Sequence, residues 1–500
     1  MATVSISEIA SSNPWWQDPD SLQLDKDIVA RKTSVTPWDP RIRHTFELQN
    51  DIVYSIRGPR QVGKTTMMKL MILDLLGQGH SPRNIMYFSC DLLESPRHLS
   101  ELVKTYLKWL GKERKDRVYV FLDEVSSIRD WQKAIKHLAD SGLITGVTLF
   151  LSGSHTSDLR HATERLPGRR GIATDSYDKV LLPMKFSEYV ETRDPKYGTL
   201  IKGLDLLRRE QRIQAICDLA DGKVDPRLNE INLHTNELNV MLSDYLVSGG
   251  ICRSMNDYLT TGRVSVATMA TYLHAILGDI ARQNKKETYL RQVMSRVIDT
   301  MGTPVSWNTI RKGTDMASHT TAEDYVNTLK ENFIVCYLHC LDPRRGGADF
   351  DKEKKIYFED PFIFHTCRSW VIGGNFHENT TRFVQSDTDE GRLVEAVCAG
   401  HVARLCYSIS QQKDFFTVEN SLFYWKGAEG KEVDFVFRIR DRFLPVEIKY
   451  QSSISTGDIQ GLISFRNLCP SFKGLLLTKD KFDDSMSVLA VPVSNFLMLL

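Results

Sequence analysis

Apolar residues in the first part of the chain fall into two alternating patterns. Residues 53–57 (VYSIR) are a short β-prone run, and MMKLMILDLL from Met67 on repeats its apolar positions at helical spacing. RVYVFLDEV (117–125) is apolar until it ends in two acids, as a strand buried on both faces would be. NIMYFSC (84–90), VTLFLSG (147–153) and VLLP (180–183) extend the series. Strands alternating with helices predict an α/β fold around a parallel sheet.

The pattern then changes. Residues 194–235 are polar and charged, with one predicted helix, LDLLRREQRIQAICDLA. NELNVMLSDYLVSGGICRSMNDYL has the spacing of two helices broken at Gly249–Gly250. Residues 285–345 predict three helices and a strand, the element order of a winged helix. A capping box at Thr320–Glu323 opens the third helix, and FIVCYLHCL is the strand. GRLVEAVCAGHVAR reads as a helix, and FYWKGAEGKEVDFVFRIRDRFLPVEIKY as a hairpin. These shifts divide the chain at 1–190, 191–281, 282–345 and 346–500.

Composition narrows the picture. Five hundred residues exceed one core, at about 150 residues per domain. A net charge of +1 confines any nucleic-acid surface to a local patch, and residues 282–312 supply one, with seven basic residues against two acids. The nine cysteines include no CxxC pair, which suits a reducing cytoplasm. Cys336 and Cys340 lie in an apolar run that reads as core; a zinc reading with His339 lacks a second ligand pair. Neither a signal peptide nor an 18-residue apolar span is visible, so no membrane partner is expected.

The sharpest chemistry is GPRQVGKTT, set between a strand and a helix. In this G-x-x-x-x-G-K-[ST] pattern the loop Gly58, Pro59, Arg60, Gln61, Val62, Gly63 curls its amides around phosphate oxygens. Lys64 then reaches the β- and γ-phosphates, Thr65 ligates Mg²⁺, and Thr66 continues the helix start. Asp123 ends the acidic strand where it can hold the same Mg²⁺, and Glu124 is placed to act as general base on water. ATP and Mg²⁺ are the expected cofactors. Ser152 or Ser154 can sense the γ-phosphate, or simply make a serine turn. Arg165, Arg169 and Arg170 follow; either one of them, Arg169 being the choice, acts as a finger on a neighbouring subunit, or the segment is a solvated basic loop. Trp15 and Trp16 either cover a base or pack in a core, as most tryptophans do.

NPWW (13–16), GPRQVGKTT (58–66), FLDEV (121–125), DWQ (130–132), LSGS (151–154), LPGRR (166–170) and LPMKFSEY (182–189) together resemble an archaeal and bacterial ATPase family of the AAA+ class with a C-terminal nuclease-like region. The resemblance implies a P-loop NTPase sheet, a helical lid and assembly into a homo-oligomer.

A second constellation lies near the C-terminus. Asp434 sits in one apolar strand, and Glu447 and Lys449, two apart and so on one face, in the next. With Glu395 from the preceding helix they can hold a hard cation and orient a water toward a phosphodiester. The D…ExK spacing is similar to the PD-(D/E)xK nuclease core, which implies a restriction-endonuclease-like α/β domain. Glu395, Asp434 and Glu447 are then metal ligands and Lys449 a catalytic residue. The expected function is a Mg²⁺-dependent ATPase that remodels or processes DNA, with metal-dependent cleavage at this domain. The alternative is a nucleotide-gated assembly or DNA-binding switch on an inactive nuclease-like platform.

Overall fold

The computed structural model describes residues 4–111, 116–153, 166, 168–173, 175–411, 413–427, 429–485 and 487–500. The chain forms two compact units, Met1–Leu182 and Pro183–Leu500. The boundary expected at 190 falls inside the helix Phe186–Arg193, and the one at 345 falls in the turn of a hairpin.

The first unit is built on five parallel strands: β1 (Val53–Arg57), β2 (Ile85–Ser89), β3 (Val118–Asp123), β4 (Val147–Ser152) and β5 (Asp178–Val180). Their order is β2-β3-β4-β1-β5. β3 and β4 are buried at every position, which explains why their sequences lack polar alternation. The last strand lies earlier than VLLP suggested. Its pairing with β1 covers Asp178 to Val180, and Leu181 adds one further bond to the Arg57 carbonyl at 2.8 Å.

β2 is an edge strand, and the NPWW segment covers it. The Asn13 side chain exchanges two hydrogen bonds with the Tyr87 backbone, at 2.6 and 2.9 Å. Both Trp15 and Trp16 donate their indole N–H to the Ile85 carbonyl, at 3.1 and 2.8 Å. Trp16 also stacks on Trp109, with centroids 4.7 Å apart. These tryptophans satisfy and shield an otherwise open edge, so they are core residues.

The second unit begins with helices. Thr235–Ser248 and Cys252–Thr261 meet at the glycine pair, as expected. Gly249 adopts φ +63°, and a Cβ there would lie 2.2 Å from Asp360 Oδ1. The Gly250 N–H donates to Asp360 Oδ2 at 2.6 Å. Asp360 also caps the helix Pro361–Ile372, and its burial pushes its carboxyl up to about 6.

Helices Glu287–Asp299, Trp307–Arg311 and His319–Glu331 follow, then β6 (Val335–Asp342) and β7 (Gly347–Phe358). The third helix is capped by Ser318, which accepts from the Thr320 and Thr321 N–H groups, two residues ahead of the capping box the sequence suggested. Much of the basic stretch is engaged within the fold. Lys285 pairs with Asp324, and Arg291 donates to the Trp370 carbonyl at 2.7 Å.

β6 and β7 join β8 (Leu422–Lys426), β9 (Glu432–Ile439), β10 (Arg442–Lys449), β11 (Leu475–Thr478) and β12 (Leu489–Pro492) in one mixed sheet. The order is β12-β11-β10-β9-β8-β6-β7. The segment read as a single hairpin is thus three antiparallel strands, β8 to β10, inside a larger sheet. That sheet carries the hairpin on which the 345 boundary was drawn. Cys336 and Cys340 are buried in β6 with His339, whose imidazole burial pushes down to about 4; this is the core reading.

Candidate nucleotide site and a C-terminal charged cluster

β1 runs directly into the phosphate loop, and the loop backbone dictates its glycines. Gly58 has φ +150°, and a Cβ on it would sit 2.0 Å from the Leu181 carbonyl oxygen. Gly63 has φ +105° with open space around it, so conformation rather than crowding requires glycine there. Val62 is buried, which leaves its main chain as its contribution to a ligand. The helix Lys64–Gly77 starts at once, so its free amides and positive dipole end face the loop. The Lys64 ammonium donates to the Gly58 and Pro59 carbonyls, both at 2.9 Å. It is held in the loop at 6% exposure.

β4 lies between β1 and β3, so Ser152 at its end stands between the loop and the acids. Thr65 donates its hydroxyl to Asp123 Oδ2 at 2.6 Å. Tyr87, in the middle of neighbouring β2, donates to the same oxygen at 2.8 Å. The Ser152 hydroxyl donates to Asp123 Oδ1. The Glu124 N–H reaches Asp123 Oδ1 at 3.2 Å and Ser152 Oγ at 3.3 Å. Burial and the adjacent Asp123 carboxylate push the Tyr87 phenol far up, so it stays a donor. Glu124 itself takes a left-handed conformation, φ 52°, which turns the chain sharply after the strand. Such a backbone costs about 1–2 kcal/mol and is commonly tolerated where function needs it. The arrangement fits Mg²⁺ chemically: a threonine hydroxyl and a carboxylate, both hard oxygens, already converge beside the loop.

The arginines separate. Arg170 clamps the sheet: it pairs with Asp178 at 3.1 Å and donates to the Val53 carbonyl at 3.1 Å. Arg169 pairs with Asp140 at 2.5 Å and is part exposed. Ser154 and Arg165 lie outside the described residues.

In the second unit the structure brings Glu395, Asp434, Glu447 and Lys449 into one region, but with an unforeseen centre. Lys355 on β7 is buried, and its ammonium lies 2.6 Å from Glu432, 2.9 Å from Asp434 and 3.2 Å from Glu395. Tyr357, two residues on, donates to Glu395 at 2.6 Å. The second Asp434 oxygen accepts the Ile448 N–H at 2.9 Å. Glu447 Oε1 pairs with Lys449 at 2.5 Å, while its Oε2 is buried without a hydrogen-bond partner.

Among the described residues no three His, Cys, Asp or Glu side chains are grouped to hold a metal. Glu395 and Asp434 meet at Lys355, and Glu447 pairs with Lys449. An internal ammonium now neutralises two of these carboxylates, which is what a metal ion would otherwise do. Burial acts against the Asp434 charge, yet Lys355 and Lys449 hold its carboxyl below the usual range. Burial, with Asp434 nearby, pushes Glu447 up to about 8, and burial pushes Glu395 up to about 7.

A carboxyl raised on folding gives stability that is complete below its unfolded value and lost as pH rises through its folded value. The second unit is therefore expected to lose stability between pH 5 and about 9. Glu447→Gln should flatten the upper part of that decline, read by urea unfolding at several pH values. An unchanged slope would contradict the raised carboxyl.

The sequence did not point to Tyr87, Lys355, Tyr357 or Glu432. Two-residue spacing could have found three of them: Lys355 and Tyr357 share a face of β7, and Glu432 and Asp434 share one of β9.

Residues 50–190 match the family model described as an AAA domain. Residues 240–371 and 390–496 match two domains of unknown function, DUF8612 and DUF4143. An uncharacterised protein of Haemophilus influenzae is 19% identical over 446 residues, covering 87% of this chain and 91% of its own length. A Walker-type ATPase of Pyrococcus abyssi is similar in structure with TM-score 0.38 and 14% identity, over 63% of this chain and 91% of its own. The Orc1 protein of Aeropyrum pernix, solved in complex with DNA, gives TM-score 0.30 and 14% identity, over 71% of this chain and 96% of its own. No helix among the described residues is long and apolar enough to cross a membrane. The phosphate loop and the acids at the end of β3 both fall within the residues of the first unit that match an AAA domain.

Proposed function

We propose that this chain is a Mg²⁺-dependent ATPase whose nucleotide cycle drives remodelling of DNA, with the C-terminal cluster serving as a binding platform. The observation that carries it is the Thr65–Asp123 contact at 2.6 Å beside the phosphate loop. Thr65 and Asp123 hold Mg²⁺, which offsets phosphate charge. Lys64 and the loop amides bind the triphosphate and stabilise charge as the γ-phosphoryl leaves. Glu124 takes the proton of the attacking water. Ser152 holds Asp123 and the Glu124 backbone in place. Arg169 reaches the nucleotide of a neighbouring copy in a homo-oligomer, after its exchange from Asp140.

DNA contact is supported by the exposed Arg282, Lys286 and Lys312 within the helical segment ahead of β6. Residues 282–345 act as a winged helix in this reading, and the chain works in the cytoplasm. The second half of the notion, that the nuclease-like domain cuts DNA, is the less favoured reading because Lys355 already fills the space between Glu395 and Asp434. Under the cutting alternative, Asp434, Glu447 and Lys449 would be catalytic.

Paired assays with Mg²⁺ and Mn²⁺ test this. DNA is expected to stimulate phosphate release while no strand is nicked, and Arg169→Ala to depress turnover in assembled samples. Nicking that Asp434→Ala removes would replace the platform by a nuclease. Failure of DNA to bind or to stimulate would remove the DNA assignment.

A further inference from the structure

A second polar cleft in the first unit is not used by this chemistry. It lies between the helices Pro96–Trp109 and Gln132–Asp140 and has a volume of about 430 Å³. Arg97, Ser100, Glu101, Lys104, Lys133 and His137 line it. Its size falls in the range of small-molecule sites, roughly 300–1,000 Å³.

Two features mark it as built for an anion. Ser100 is 6% exposed, and its hydroxyl has no hydrogen-bond partner. A buried hydroxyl without a partner is costly, by about 1–3 kcal/mol, and a ligand oxygen in the cleft would relieve that. The cations outnumber the carboxylates. Arg97, Lys104 and Lys133 stand against Glu101 within the cleft, with Asp130 beside Lys133 at 2.8 Å. Glu101 pairs with Arg97 at 2.9 Å, an exposed contact that a ligand can displace. Lys104 Nζ lies 2.6 Å from His137 Nε2. An ammonium only donates, so this imidazole nitrogen accepts, and two of the ammonium's three N–H bonds remain for a ligand.

We infer that this cleft binds a small phosphorylated molecule, with Lys104 and the Ser100 hydroxyl on its phosphate and Arg97 and Lys133 at the rim. The site is separate from the phosphate loop. Yet its second wall, the helix Gln132–Asp140, follows in sequence from the acids at the end of β3, so an occupant can bias Asp123 and Glu124 through that connection.

Pyrophosphate, titrated calorimetrically into full-length Lys64→Ala protein, tests the inference with the phosphate loop's own grip weakened. Binding should persist in that background. Lys104→Gln added to it should weaken affinity about tenfold or more, and Ser100→Ala should weaken it too. Absence of pyrophosphate binding, or affinity indifferent to both substitutions, would overturn the inference. So would binding of a single-stranded oligonucleotide at the cleft in place of pyrophosphate, since that would make it a nucleic-acid contact.

Discussion

Lys64→Ala should lower ATP turnover about a hundredfold or more while leaving the first unit folded. The ammonium is buried inside the loop, within 2.9 Å of the Gly58 and Pro59 carbonyls. Under the proposed function it would exchange those carbonyls for phosphate oxygens, where charge builds as the terminal phosphoryl departs. Its removal therefore acts on both binding and chemistry. The fold should survive, because the loop is shaped by Gly58 and Gly63 and the helix behind it is buried through Met67, Met68 and Ile72. Phosphate release and fluorescent-nucleotide titration, with circular dichroism as the folding control, check this. Near-normal turnover would remove Lys64 from the site.

The largest effect on stability is expected at Lys355. Lys355→Met leaves Asp434, Glu395 and Glu432 without the ammonium they share, and the first two are well buried. Breaking a buried ion pair by removing one partner costs about 3–5 kcal/mol. Lys449→Met should cost less, because its side chain is one-third exposed and serves only Glu447 among the pairs at this cluster. Adding Asp434→Asn to Lys355→Met should restore part of the loss, since the stranded charge is gone; urea unfolding of the unaltered protein, Lys355→Met, Asp434→Asn and the double variant measures the coupling. If Lys355→Met unfolds no more readily than Lys449→Met, the cluster is not organised around that ammonium.

The nucleotide site was legible because its parts are local. The phosphate loop needs glycines at fixed spacing from one lysine, and the buried strand before Asp123 and Glu124 favours a ligand-facing strand end over a helix cap. β1, β3 and β4 began and ended within a residue or two of where the apolar runs did. The partners across the sheet were not legible. Tyr87 meets Asp123 only because β2 pairs with β3 in a register that sets Ser89 beside Asp123. Nothing local distinguishes that tyrosine from a core residue.

The C-terminal cluster shows the same limit more sharply. Asp434, Glu447 and Lys449 were read from their spacing on two apolar strands, and Glu395 from the helix ahead of them. Lys355 lies 79 residues before Asp434 and reaches it only through the seven-stranded sheet. A lysine pair in KEKKIYF reads as solvated charge until the sheet buries it. The pairing across 345 was hidden for a related reason: β6 and β7 meet only as a hairpin on either side of that point.

Glu124→Gln addresses the core of the account most directly, because it separates holding a nucleotide from breaking it. With Mg²⁺ present, the variant should bind ATP about as tightly as the unaltered protein and release phosphate at least about a hundredfold more slowly. Turnover that survives the amide, or an unaltered protein with no affinity for ATP, would contradict the assignment of this loop and these acids to ATP hydrolysis.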